Sequence, residues 1–152
     1  MKPLIVLISV FLLSNLFITF VTDQYDFHLA ARIAMCAMLC FTAIAHFVFT
    51  KGMVIMIPSP VPFKIELIYV TGVIEIFLGV GLLIPSLRIY SAWLTIFFLI
   101  FLLPANIYAA IKRIDYQKGD FNGNGINYLW FRVPLQLLFI IWIYLSAIKI
   151  GQ

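Results

Sequence analysis

Residues 89–111 read IYSAWLTIFFLIFLLPANIYAAI, a stretch without one charged side chain. At about 1.5 Å per residue such a helix is long enough to cross the ~30 Å hydrocarbon core of a bilayer. A water-soluble chain could hide this segment only inside a large domain. Here 64% of the 152 residues are hydrophobic and only 11% are charged, so there is too little polar surface to build one. Lipid is therefore the expected solvent. Strands are not expected, because apolar and polar residues do not alternate and an open sheet could not satisfy its edges in lipid.

Four further apolar runs have spanning length: roughly Leu4–Val21, Leu29–Thr50, Phe63–Ile84 and Asn127–Ile148. With Ile89–Ile111 they predict an all-α integral membrane helical bundle of five transmembrane helices, in a single domain covering residues 1–152. Lys2 precedes the first run, as it would in a signal peptide. That run is long for a signal's apolar region, however, and no small-x-small pattern precedes Thr22-Asp23-Gln24, so a retained helix is expected.

Lysine and arginine positions predict orientation. Five spans place Lys2, Lys51, Lys64, Lys112, Arg113, Lys118 and Arg132 toward one side, and Arg32, Arg88 and Lys149 toward the other with Asp23 and Asp26. The first side is expected to be cytoplasmic, so the N-terminus is inside and the C-terminus outside. Tyr90, Trp93, Trp142 and Tyr144 fit an aromatic belt on the outer face. The net charge of +4 is scattered over the ends of apolar runs, which argues for membrane orientation and against nucleic acid. Cys36 and Cys40, four apart in one run, share a helix face and read as packing residues rather than an extracellular disulfide.

Pro58, Pro60 and Pro62 forbid a helix between the second and third runs. Asp120-Phe121-Asn122-Gly123-Asn124-Gly125 matches the first half of a calcium loop. The position of the bidentate glutamate is Phe131, however, so a polar turn is expected and no metal.

Ionisable and amide groups inside the runs carry the functional signal, since burying them in lipid is costly and they usually face the bundle interior. They are His46 in the second run, Glu66 and Glu75 in the third, Asn106 in the fourth, and Arg132 and Gln136 in the fifth. Helical rise puts His46 roughly 7 Å in from Lys51, Asn106 roughly 9 Å in from Lys112, and Glu75 roughly 13 Å beyond Glu66, near the midplane. Four helices thus bring polar groups between the cytoplasmic face and the midplane, which predicts a shared polar pocket. Gly72, Glu75 and Gly79 fall on one face, allowing close helix approach around the carboxyl group. Glu66 lies on the opposite face from Glu75.

Simpler roles compete. His46 could bond Thr42 or a backbone carbonyl, Glu66 and Arg132 could be interfacial charges, and Asn106 could satisfy carbonyls freed by Pro104. Glu75 has no basic neighbour in its own helix and is the strongest candidate.

Arg32-Ile-Ala through Ala45-His46-Phe47, Ile57-Pro58 with Pro62, Gly72-Val-Ile-Glu75-Ile-Phe-Leu-Gly79, Gly81-Leu-Leu with Pro85, Pro104-Ala-Asn106-Ile and Arg132-Val-Pro-Leu-Gln136 together resemble the DoxX-like family of small bacterial membrane proteins. The resemblance covers about residues 29–148, a four-helix unit to which the helix at about 4–21 is an addition. It implies a bacterial inner-membrane protein beside oxidoreductase and thiol-stress systems, including small quinone-reducing subunits. A more distant similarity to the emopamil-binding sterol isomerases rests on residue type alone: those five-helix proteins use intramembrane His, Glu and Asn on a lipid substrate.

The expected function is an intramembrane polar pocket for a lipophilic small molecule, a quinone or isoprenoid. Glu75, His46 and Asn106 are its candidate catalytic residues, and Glu66, Arg132, Gln136 and Trp130 its candidate ligand-binding residues. The expected partners are the bilayer, that molecule and a membrane redox protein. The alternatives are a non-catalytic subunit or assembly factor of an oxidoreductase complex, and a proton-coupled transporter. The internal repeat that would mark a transporter is absent from the sequence.

Overall fold

The structure, a computed structural model, describes residues 2–149. Helix α1 (Lys2–Thr22) has no charged residue after Lys2 and is apolar on every face. It buries Leu7 against the rest of the bundle and leaves Leu12, Leu13, Leu16, Phe17 and Phe20 exposed, as a lipid-facing helix would. Helix α2 (Phe27–Val48) begins at Asp26, whose carboxylate accepts the Leu29 N–H at 2.8 Å. This satisfies one of the donors that every helix start leaves free. α2 packs most extensively against α1 and against α4 (Lys64–Gly81).

The second apolar run was expected to continue to Thr50, but α2 stops at Val48. The chain bends at Phe49, and a short helix α3 (Thr50–Met56) follows. The Thr50 hydroxyl donates to the His46 carbonyl at 2.7 Å and so completes the end of α2. α3 cannot pass Ile57, which is extended because Pro58 follows it. Lys64 reaches back to donate to the Ile57 carbonyl at 3.0 Å. Gly52 lets α3 rest directly on the Tyr116 backbone, where any β-carbon would overlap the Tyr116 carbonyl.

α4 also ends earlier than the expected Ile84. Past Gly81 the chain closes in tight turns, with Leu83 N–H donating to the Val80 carbonyl at 3.0 Å, and Pro85 prevents continuation. Helix α5 (Arg88–Ile111) contains Pro104, and helix α6 (Asn127–Ile143) contains Pro134 and widens into a π-helical turn at Tyr144–Ile148. The link between α5 and α6 is a polar turn. It is closed by an Asp115–Asp120 bridge, a Gly123 N–H bond to the Arg113 carbonyl at 2.7 Å, and Asp120 accepting the Asn122 N–H at 3.1 Å.

The protein is thus an all-helical bundle with no strand among the described residues. Four segments, Lys2–Thr22, Phe27–Val48, Arg88–Ile111 and Asn127–Ile148, are long and apolar enough to cross a membrane. α4, with 18 residues that include Lys64, Glu66 and Glu75, is not one of them. Met35, Met38, Leu39, Ile96, Leu99, Phe139 and Ile143 form the shared core of α2, α5 and α6. Trp142 ties it together: its indole N–H donates to the Ala31 carbonyl at 3.0 Å, and its ring meets Phe11 edge-on at 5.1 Å.

Candidate functional site

Small residues on α4 set the geometry of the site. A β-carbon on Gly72 would lie 2.9 Å from the His46 β-carbon and 3.2 Å from the Phe47 ring. One on Gly79 would lie 3.3 Å from the Cys36 carbonyl oxygen. The two glycines therefore let α2 and α4 approach closely on either side of Glu75. Glu75 is 4% exposed, and its Oε2 lies 3.6 Å from His46 Nε2 across this seam. That oxygen is shielded from solvent and makes no hydrogen bond among the described residues.

The other ring nitrogen of His46 defines its tautomer. Nδ1 lies 3.1 Å from the Ile68 carbonyl, which can only accept, so this bond forms in the tautomer that carries its proton on Nδ1. The Thr71 hydroxyl also lies 3.1 Å from Nδ1 and donates to the same carbonyl at 2.9 Å, which locks the ring in place. With Nδ1 protonated, Nε2 offers a lone pair toward Glu75. The pair can then hold one proton in two forms: a carboxylic acid facing a neutral imidazole, or a carboxylate facing an imidazolium. An approach of about half an ångström would bring 3.6 Å into hydrogen-bonding range. Thr42, on the same face of α2 one turn before His46, neighbours the Glu75 carboxyl, and Arg132 is a cation that acts on it from α6. Phe47 and Tyr69 stack at 5.7 Å, are both exposed, and flank His46 on the outside of the bundle.

The remaining candidates lie elsewhere. Asn106 is buried on α5 and lines a small pocket of about 20 Å³ with Met56, Tyr116, Asn124, Tyr128 and Arg132, room for roughly one water molecule. Arg132 donates to the Tyr128 hydroxyl at 2.9 Å and lies over the Tyr128 ring. Gln136 is buried and donates to the Leu99 carbonyl, tying α6 to α5 one residue before the carbonyl that Pro104 deprives of its helical donor. Glu66 is exposed in the first turn of α4, and Trp130 is 80% exposed. The structure therefore joins His46 to Glu75, groups Asn106 with Arg132 in a separate small pocket, and gives Gln136 a helix-to-helix bond.

Two details differ from the sequence expectation. Thr42, a suggested partner for His46, donates to the Met38 and Leu39 carbonyls of its own helix. Thr71, not singled out from sequence, holds the imidazole. It sits four residues before Glu75 on the same helix face, which is the signal that could have found it.

No curated protein and no solved structure matches the chain. The family described as "Domain of unknown function (DUF8561)" matches residues 35–147, a span that contains His46, Thr71, Glu75, Asn106, Arg132 and Gln136. Since this span covers most of the chain, the protein belongs to the DUF8561 family.

Proposed function

We propose that this protein binds a lipophilic small molecule of the quinone or isoprenoid kind within the bilayer, and that Glu75 exchanges a proton with it or for it. The observation that carries the reading is the buried Glu75 oxygen, free of hydrogen bonds and 3.6 Å from an imidazole nitrogen whose lone pair faces it. Holding one proton, such a pair is net neutral in either tautomer; passing that proton to a bound ligand leaves one carboxylate charge, which the Arg132 cation offsets. The exposed Phe47–Tyr69 stack supplies a flat apolar surface beside His46 for a ring or isoprenoid chain arriving from lipid.

In this reading α4 is the fifth membrane span. At 18 residues it is about 27 Å long, close to the hydrocarbon thickness, and its one deep charge is partnered across the α2 seam. The N-terminus is cytoplasmic and the C-terminus periplasmic in a bacterial inner membrane, by the basic-residue asymmetry and the DoxX-like resemblance.

A second reading, a non-catalytic subunit or assembly factor of a membrane oxidoreductase complex, is favoured by the tight packing at Gly72 and by the single-water size of the Asn106–Arg132 pocket. There the pair only locks α2 to α4. Replacing Glu75 separates the readings, with short-chain quinone binding, growth complementation and melting in detergent as assays. Glu75→Gln keeps the size and hydrogen-bonding capacity but cannot exchange a proton. Proton exchange requires a large loss of complementation with near-normal expression and melting, whereas a structural lock tolerates Glu75→Gln and fails on Glu75→Leu. If Glu75→Gln behaves as wild type throughout, proton transfer is wrong.

A further inference from the structure

The cavity of about 20 Å³ lined by Asn106 and Arg132 lies where α3, α5, α6 and the polar turn before α6 meet. Its polar lining is Arg132, Asn106, Asn124, Tyr116 and Tyr128, and no carboxylate is among them. Asn106 is 8% exposed while Asn124 is exposed on the turn, so the cavity reaches from the buried face of α5 to the loop surface. Arg132 is fixed by its own helix. Its Nη1 donates to the Tyr128 hydroxyl at 2.9 Å, and the guanidinium lies 5.5 Å from the centre of that ring. This bond engages one of the five N–H donors that a guanidinium carries. A second guanidinium stands at the wall: a β-carbon on Gly125, which also lines the cavity, would lie 3.4 Å from Arg113 Nε. Among the described residues no carboxylate comes within 4.0 Å of either arginine. The two acids of the turn serve its own backbone, Asp115 accepting from the Gln117 and Lys118 N–H groups and Asp120 from that of Asn122.

A small cavity with a guanidinium in its lining, amide and phenol donors around it and a second guanidinium at its edge is built for negative charge. A cation is repelled by Arg132. Water would accept the hydrogen bonds but leave the charge unbalanced at the end of an apolar bundle, where a lone charge is costly. An anion accepts the same bonds and neutralises the guanidinium as well. Arg113 raises its local concentration at the loop side. Volume then decides the class, because about 20 Å³ holds one water-sized group and so fits a monatomic halide, whereas a tetrahedral oxyanion with four oxygens does not.

We propose that the cavity between Arg132 and Asn106 is a binding site for a small monatomic anion of the chloride kind. It is distinct from the His46–Glu75 pair: Glu75 offers Arg132 a counter-charge only after its proton has gone, and the halide supplies one while the proton is held.

The full chain in detergent is melted over a titration of sodium chloride, with sodium gluconate holding ionic strength constant, and again with bromide and with sulfate. Wild type should gain thermal stability with chloride and with bromide, saturably, and gain none with sulfate. Arg132→Gln should weaken the apparent halide affinity by about tenfold or more, the loss of a charge-assisted bonding group. If that variant does not fold, Asn106→Leu, an apolar side chain of similar size suited to lipid, should weaken it several-fold. Glu75→Gln should keep the halide response, which separates this site from the proton-exchange reading. The proposal is overturned if chloride and gluconate give wild type the same melting, if sulfate stabilises as well as chloride does, if the folded Arg132 or Asn106 variant responds as wild type, or if Glu75→Gln abolishes the response.

Discussion

Gly72→Ala tests whether the close approach of α2 and α4 creates the His46–Glu75 pair. The added methyl group would sit 2.9 Å from the His46 β-carbon and 3.2 and 3.3 Å from two Phe47 ring carbons. Carbon atoms pack at about 3.5–4.0 Å, so the seam must open by roughly 0.6–1 Å at this level. The Phe47 ring can swing aside, but the His46 β-carbon is tied to the α2 backbone, so the helix itself has to move. Overpacking of this kind costs about 1–3 kcal/mol. At ~2–4 °C per kcal/mol for a chain of this size, melting in detergent should fall by several degrees. The same movement lengthens the 3.6 Å separation of His46 from Glu75, so complementation should fall as it does in Glu75→Gln. Gly79→Ala is the internal control. Its methyl group meets Cys36 and Leu39 atoms at 3.3–3.4 Å, a milder conflict one turn beyond the pair, and both melting and complementation should change less. Unchanged melting and complementation in Gly72→Ala would refute the reasoning, as would a larger effect from Gly79→Ala.

Three other outcomes are expected. Cysteine labelling in intact cells should reach a cysteine placed at Asp23 from the periplasm and one at Lys118 only from the cytoplasm; both on one side would mean an even number of crossings between them, as when α4 does not span. Replacing Cys36 and Cys40 together with alanine should leave complementation intact, since both are free thiols in a packed helix, and complete loss with normal insertion would point to redox chemistry instead. Gln136→Leu removes the bond to the Leu99 carbonyl and should lower stability by about 0.5–1.5 kcal/mol in a denaturation assay while sparing the Glu75 phenotype; loss of that phenotype at unchanged stability would place Gln136 in the site.

Several features were legible in the residues because they are local. A backbone in lipid must satisfy its own hydrogen bonds, so an uncharged stretch such as residues 89–111 has little choice but helix. The prolines at 58, 60 and 62 excluded a helix wherever they occur. The glycines at 72 and 79 marked the face of α4 that a neighbour would approach, and thereby which of Glu66 and Glu75 would be buried. Even the ends of α2 and α4 were misplaced by only a few residues, because hydropathy continues through Phe49 and Leu82 where the backbone turns.

The pairing of side chains between helices was decided by the tertiary structure. Apolarity and depth placed His46, Glu75, Asn106 and Arg132 at comparable levels and suggested one pocket. Level alone, however, does not specify rotation about each helix axis or which helices are neighbours. Close packing of α2 on α4 turned His46 toward Glu75 and brought Thr71 against its other nitrogen. Asn106 was instead turned with Arg132 toward the Tyr116 loop. Helix formation depends on bonds within a segment and is written along the chain, whereas contacts between helices depend on interlocking surfaces far apart in sequence and exist only once the bundle has packed.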